Sequence, residues 1–353
     1  MDKLIIHQSL PIQKALEILD ESYTKTLFIT DEAGILRGSL TDGDIRRWIL
    51  STGGVNGKVI QACNPHPFVM HHPADKSEAL KIMEEKHLQA VPVVSPSGLI
   101  QTVITRDELS GSNREPATEL SGIPVVIMAG GKGTRLDPIT RILPKPLVPV
   151  GNQPVIELIM QEFARFGVTG FTISLNHQAR LIKAYFEERQ YPYDIRFLEE
   201  EQPLGTAGSL KLINGTIKGD LFVTNCDIII RSDYNDILRF HRQGGFALTI
   251  VAALHRHAIP YGVCEASDTG HLLQITEKPE YSMLINAGMY VLQSDVLDLI
   301  PDKQEYHITH LIEALRSQGR PVGVFPVAES AYYDIGRWEA YQAALPLLTK
   351  GGI

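Results

Sequence analysis

The sequence predicts an α/β protein in two parts, a large domain on a largely parallel sheet and a smaller α+β repeat in front of it. Three observations carry this expectation. Beyond residue 120, short apolar runs alternate with stretches of helical periodicity, the pattern of a mostly parallel sheet covered on both faces. One run, Ile123 to Met128, breaks directly into the glycine-rich string Ala129-Gly130-Gly131-Lys132-Gly133-Thr134-Arg135. Finally, the first 112 residues are similar to themselves at an offset of 64 positions.

The repeat pairs Gly34-Ile35-Leu36 with Gly98-Leu99-Ile100, Leu40-Thr41 with Ile104-Thr105, and Ala15-Leu16 with Ala79-Leu80. Each copy predicts a helix (Ile12, Leu16 and Leu19 on one face; Ala79, Ile82 and Met83 on the other copy's). Two strands follow, Leu27–Thr30 and Ile35–Leu40, then Val91–Val94 and Leu99–Ile104. A second helix opens at Thr41 and at Thr105, both favourable N-caps. One copy is too small to bury a good core, so the two are expected to pack together.

These residues resemble a CBS-domain pair, a module that binds adenine nucleotides between its repeats. The resemblance rests on the helix–strand–strand–helix order and on Ser39-Leu40-Thr41-Asp42-Gly43-Asp44. It implies that Thr41 and Asp44, with Thr105 in the second copy, contact the phosphate and ribose of AMP or ATP. The second copy departs from the pattern with Glu108 where Asp is expected, which favours one nucleotide site over two. Thr41 and Asp44 also suit a helix cap, and the pair also suits a dimerisation platform. The polar, aperiodic stretch after it reads as a linker, giving residues 1–112 as the pair, 113–120 as the linker and 121–353 as the large domain.

Composition bounds the function. The 353 residues carry a net charge of −8, against a general nucleic-acid binder. No run approaches the ~20 apolar residues of a membrane span, and the N-terminus lacks the apolar core of a signal peptide. Three scattered cysteines, Cys63, Cys226 and Cys264, fit buried thiols in a reducing compartment, so a cytoplasmic protein is expected.

In the large domain, three glycines in four positions let backbone N–H groups approach a polyphosphate, and Lys132 and Arg135 add positive charge. Pro144-Lys145-Pro146 places another cation on a stiff segment. Glu199–Gly208 is a second glycine-containing turn opening a helix. Asp227 ends an apolar strand where it can hold Mg²⁺ through oxygen, and Asp334-Ile335-Gly336 offers a second carboxylate. Each alone also suits a cap or turn. The pairs His71-His72 and His255-x-His257 lack companion ligands at zinc spacing.

Joined, the blocks Gly130-Gly131-x-Gly133-Thr134-Arg135-Leu136-x-Pro138 and Pro144-Lys145-Pro146-Leu147-x-Pro149-Val150 resemble the signature of sugar-nucleotide pyrophosphorylases, the sugar-1-phosphate nucleotidyltransferases. Pro203–Gly208, Asp227, Glu277-Lys278-Pro279, Asn286-Ala287-Gly288 and Asp334-x-Gly336 follow in the family's order. The loop is not a Walker A, which requires GxxxxGK[ST]. The resemblance implies a Rossmann-like nucleotidyltransferase domain that joins an NTP to a sugar 1-phosphate and releases pyrophosphate. It assigns Arg135 and Lys145 to catalysis, and Gly130, Gly131, Gly133, Thr134, Gly205 and Thr206 to the nucleotide. Gly262, Glu277, Lys278 and Asn286 go to the sugar phosphate, and Asp227 and Asp334 to Mg²⁺. Fusion to a CBS pair resembles bacterial hexosamine-1-phosphate guanylyltransferases of legionaminic acid biosynthesis, which points to GTP and a hexose or hexosamine 1-phosphate. UTP- or dTTP-dependent enzymes and a non-catalytic nucleotide sensor stay open as alternatives. A homodimer or higher oligomer is expected.

Overall fold

The computed structural model describes residues 4–22, 24–86, 88–110 and 119–350. Most of the linker read from the sequence therefore lies outside the described residues.

The chain forms two compact units: Met1–Arg114 with Ala253–Ile285 and Ala328–Ser330, and Glu115–Ala252 with Asn286–Val327 and Ala331–Ile353. In the first, β1 (Ile5–His7), α1 (Ile12–Glu21), β2 (Thr26–Thr30), β3 (Leu36–Thr41) and α2 (Asp42–Thr52) make up one repeat. After the short α3 (Val59–Ala62), the second repeat runs through β4 (Met70–His71), α4 (Lys76–Glu85), β5 (Ala90–Val94), β6 (Ile100–Thr105) and α5 (Arg106–Ser110). The repetition is exact in topology: β1 is parallel and β3 antiparallel to β2, as β4 and β6 are to β5. The copies pack on each other as expected, through Phe28 and Leu36 against Ala90, Ile100 and Val103. The Gly98 carbonyl also accepts from Leu36 N–H at 2.9 Å.

The second unit opens with β7 (Val125–Met128), β8 (Pro149–Val150), β9 (Gln153–Pro154) and α6 (Val155–Ala164). It continues through β10 (Gly170–Leu175), α7 (Ala179–Glu187), β11 (Asp194–Glu199), α8 (Gly205–Gly208), β12 (Asp220–Asn225), β13 (Ile228–Ile230) and α9 (Tyr234–Gln243). The long strands β14 (Leu248–Ala258) and β17 (Glu280–Gln293) bracket the β15 (Val263–Ala266) and β16 (Leu272–Thr276) ribbon. The chain closes with α10 (Ile308–Ser317), β18 (Val322–Val327), β19 (Tyr332–Asp334) and α11 (Trp338–Lys350). The helix opened by the Glu199–Gly208 turn is α8 followed by a 3₁₀ segment, Ser209–Ile213.

A seven-stranded sheet, order β11-β10-β7-β12-β17-β14-β18, is the spine of this unit. Its β11-β10-β7-β12 half is parallel, and β17 joins β12 antiparallel. Successive residues of a strand face opposite sides. Accordingly Leu221 and Val223 pack with Leu311 and Leu315 of α10, while Phe222 between them meets Phe163 of α6 and Tyr234 of α9. The sheet is therefore covered on both faces, which is why its interior strand β7, Val125–Met128, is buried at every residue. The parallel direction also sets the site: the carboxyl ends of β7, β10, β11 and β12 share one edge, where open α/β sheets take their ligands.

Candidate active site

At that edge β7 runs straight into the glycine loop. Ala129 N–H is held by the Ser174 carbonyl of β10 at 2.9 Å, and Cys226 N–H by the Met128 carbonyl at 3.3 Å. The three glycines serve different ends. A Cβ on Gly130 would stand 3.0 Å from Glu200 Oε1 and 3.2 Å from Asn176 Cβ. Gly133 holds a left-handed φ of 69°, and a Cβ there would be 3.0 Å from Lys145 Cβ and Thr140 Cγ2. Gly131 alone opens on free space. Thr140 Oγ1 donates to the Gly133 carbonyl at 2.8 Å, tying the loop to the segment that carries Lys145. Thr134 and Arg135 are exposed, and the Arg135 charge acts on the phenol of Tyr332.

Opposite the loop, β13 pairs antiparallel with β19, setting Ile228 across from Asp334. This brings Asp227 and Asp334 together although 107 positions separate them. The Asp227 carbonyl accepts from Ile335 N–H at 2.8 Å, and Asp334 Oδ1 accepts from Gly336 N–H at 2.7 Å. Gly336 lies between the carboxylates, where a Cβ would overlap Asp227 Oδ2 and stand 3.0 Å from Asp334 Oδ1. Lys145 Nζ forms an ion pair with Asp227 Oδ2. Burial, then the charges of Asp334 and Asp227, push the Tyr332 phenol far above its usual range, so it stays protonated beside them. Cys226 is buried with its thiol pushed up to about 12, an inert neighbour as the sequence suggested.

Asn286 opens the second unit's part of β17, where its Oδ1 accepts from Gly288 N–H at 3.0 Å. A Cβ on Gly288 would overlap Asn225 Nδ2, two residues before Asp227. The remaining sugar-phosphate candidates group in the other unit. A Cβ on Gly262 would stand 2.9 Å from Glu277 Oε2, and Lys278 N–H donates to the Tyr261 carbonyl at 3.2 Å. Gly205 and Thr206 lie on a turn of the second unit that is bonded to the segment before α10. In the N-terminal repeat, Thr41 N–H and Oγ1 both donate to Asp44 Oδ2, at 2.8 and 2.6 Å, forming a capping box on α2. The counterpart bonds between Thr105 and Glu108 are longer, at 3.4 Å.

One polar residue of this edge escaped sequence reasoning. Glu200 follows β11, and its Oε1 accepts from Ser174 Oγ at 2.7 Å while Oε2 accepts from Leu204 N–H at 3.0 Å. It thus ties the end of β10 to the second turn, next to Gly130 of the glycine loop. Its sequence signal is submerged, because Glu199, Glu200 and Glu201 are adjacent and only the fold selects the middle one.

The donors of the Asp227–Asp334 pair are hard carboxylate oxygens, the kind Mg²⁺ takes from protein while keeping waters and substrate phosphates as its other ligands. Among the described residues no group of three or more His, Cys, Asp or Glu could hold a metal. Two carboxylates beside an open edge fit an ion completed by substrate, not a closed structural site.

A parallel α/β sheet with a glycine loop at its carboxyl edge, facing two carboxylates and a lysine, is the class of a nucleotide-handling transferase domain. The chain belongs to the nucleotidyl transferase family, whose model matches residues 124–351, and a CBS-domain model matches residues 1–51. It is similar to a mannose-1-phosphate guanyltransferase of Debaryomyces hansenii, 39% identical over 50% of this chain and 52% of that one. A UTP–glucose-1-phosphate uridylyltransferase of Synechocystis is 31% identical over 62% of this chain and 63% of its own. The chain thus spans about half to two thirds of the length of these curated relatives. Among solved structures it is similar to HddC from Yersinia pseudotuberculosis, with a TM-score of 0.51, 25% identity, and coverage of 64% of this chain and 99% of that one.

Proposed function

We propose that this protein transfers a nucleotidyl group from an NTP to a hexose or hexosamine 1-phosphate, with GTP as the preferred triphosphate. The observation that carries the reading is the convergence of Asp227 and Asp334 on Gly336, with Lys145 paired to Asp227, at the same sheet edge as the glycine loop. A phosphate oxygen of the sugar 1-phosphate attacks the α-phosphorus, the bond from that phosphorus to the bridging oxygen breaks, and pyrophosphate leaves with its electron pair. No protein nucleophile is needed, so the chain's task is alignment and charge stabilisation. Asp227 and Asp334 would hold Mg²⁺, which supplies neutralisation of phosphate charge when bound. Lys145, poised on Asp227, and Arg135, exposed beside the loop, bring cations to the transferring phosphate; one well-placed arginine in phosphoryl transfer is worth roughly 10³–10⁵ in rate. Gly262, Glu277, Lys278 and Asn286 would contact the sugar phosphate.

Base preference rests on Glu200. Its carboxylate has lone pairs beyond those used on Ser174 and Leu204, and a carboxylate next to Gly130 suits the paired N1–H and N2–H donors of guanine. Uracil and thymine present a single ring N–H between two carbonyls, which a carboxylate accepts less well. The guanyltransferase relatives support the same choice, and the uridylyltransferase relative keeps UTP as the second reading. A pyrophosphate-release panel crossing four NTPs with several sugar 1-phosphates tests this. Release with GTP is expected, release confined to UTP or dTTP selects the second reading, and binding without release selects a non-catalytic sensor.

The N-terminal pair would sense AMP or ATP at Thr41 and Asp44, on the capped end of the eleven-residue helix α2, with Thr105 in the looser second copy. Such a ligand raises the melting temperature by linkage. The protein would act in the cytoplasm as a homodimer or larger oligomer. No described helix is long and apolar enough to cross a membrane.

A further inference from the structure

The turn Leu204–Gly208 does not stand on its own elements. It is laced to residues 303–308, the segment just before α10, about a hundred positions away in sequence. Tyr306 N–H donates to the Leu204 carbonyl at 2.9 Å, and Ala207 and Gly208 N–H both donate to the Tyr306 carbonyl at 2.9 Å. Gln202 Nε2 donates to the Lys303 carbonyl at 2.8 Å. Thr206 and His307 form a reciprocal pair. Thr206 Oγ1 accepts from Ile308 N–H at 3.0 Å, capping α10, while His307 Nδ1 accepts from Thr206 N–H at 3.4 Å.

The glycines of the turn answer to the same segment. Gly205 has a left-handed φ of 77°, and a Cβ there would stand 2.8 Å from the Tyr306 carbonyl oxygen and 3.0 Å from His307 Nδ1. A Cβ on Gly208 would stand 2.9 Å from the Gln304 carbonyl oxygen. With the N–H groups of Thr206, Ala207 and Gly208 all engaged by this segment, the turn keeps none of those three donors for a phosphate. What it presents is its Leu204-Gly205 backbone, at a height the segment fixes.

We infer that residues 303–308 are a positioning strap for the nucleotide turn, with His307 as the positioning residue whose Nδ1 fixes Thr206 and so the approach of the nucleotide to Gly205. This rests on the reading of the turn as part of the nucleotide site. The strap acts on nucleotide binding and leaves the sugar 1-phosphate, whose candidate contacts are other residues, unaffected.

The test compares wild type, His307→Ala, His307→Asn and Gly208→Ala in the full-length chain. GTP affinity is measured by calorimetry, and KM for GTP and for the sugar 1-phosphate by pyrophosphate release. His307→Ala is expected to weaken GTP binding and raise its KM by roughly three- to ten-fold, the worth of one hydrogen bond, with the sugar 1-phosphate KM unchanged. His307→Asn, whose Oδ1 replaces Nδ1 as acceptor, restores most of the loss. Gly208→Ala, a wedge between turn and strap, reproduces the GTP-selective defect even if His307→Ala folds poorly. Equal changes in both KM values, or a lowered melting temperature with unchanged GTP affinity, overturn the inference. If wild type binds GTP without turnover, the catalytic reading fails while the affinity series still tests the strap; if it binds no NTP, both fail.

Discussion

Lys145 and Asp227, 82 positions apart, form an ion pair with both side chains about nine-tenths buried, and Gly336 lies against the same carboxylate. Asp227 is therefore the partner of a buried cation as well as a candidate metal ligand. Asp227→Asn keeps shape and hydrogen-bonding atoms but removes the charge. Pyrophosphate release is expected to fall by at least about 10²–10³, the usual cost of losing one preorganised charge-stabilising group. Thermal melting of the same variant reports the unpaired lysine as a lowered midpoint. Turnover within a few-fold of wild type would remove Asp227 from the site.

Gly336→Ala probes the same point by volume. The added methyl would overlap Asp227 Oδ2 and crowd Asp334 Oδ1, so the carboxylates must part. Overpacking of this kind costs about 1–3 kcal/mol. The larger effect is expected in activity, as a raised Mg²⁺ requirement in a titration of pyrophosphate release. An unchanged Mg²⁺ dependence would mean the two carboxylates do not act together.

Thr41→Ala removes the hydroxyl that accepts from Asp44 N–H and donates to Asp44 Oδ2. The lost cap should lower stability by about 0.5–2 kcal/mol. If the pair senses AMP or ATP there, the nucleotide-induced rise in melting temperature should vanish as well. A rise that survives intact would leave Thr41 as a cap alone.

Glu157 of α6 accepts from Tyr185 Oη at 2.7 Å and Tyr191 Oη at 2.6 Å. Burial, then the hydrogen bond and charge of Glu157, push the Tyr185 phenol up to about 12 and move Tyr191 further in the same direction. A phenol raised in the folded state favours folding below its unfolded value near 10, and that contribution is lost as pH climbs from there through the folded value. Stability should therefore decline across roughly pH 10–12. Glu157→Gln should bring the alkaline tyrosinate absorbance titration to lower pH. An unmoved titration would show burial alone to be responsible.

Legibility followed the range of the interactions. The glycine loop, Lys145, Asp227 and Asp334 could be read because each sits at a strand end or turn whose local sequence announces it, and the repeat because its copies match residue by residue. Glu200 could not, since three adjacent glutamates offer the same chemistry and only the end of β11 picks one. Nor could the hold of Tyr306 and His307 on Leu204–Gly208, which depends on packing between segments a hundred positions apart and leaves no periodic trace. Gly205 was legible as a special residue, but the atoms crowding it belong to Tyr306 and His307.

The strands β14 and β17 begin and end in the large sheet, yet their outer halves, with Gly262, Glu277 and Lys278, belong to the same compact unit as the N-terminal repeat. Gly54, just past α2, comes within van der Waals reach of Ser282, and Thr52–Gly54 and Asn56 line a cavity of about 210 Å³ with Glu280, Tyr281 and Ser282. The N-terminal repeat and this arm thus form one compact unit, although the arm is inserted within the sequence of the large domain. Deleting the repeat would also remove the residues against which Glu280–Ser282 lie. A substitution within Thr52–Asn56 would therefore alter the surroundings of Glu280–Ser282 as well as those of the repeat.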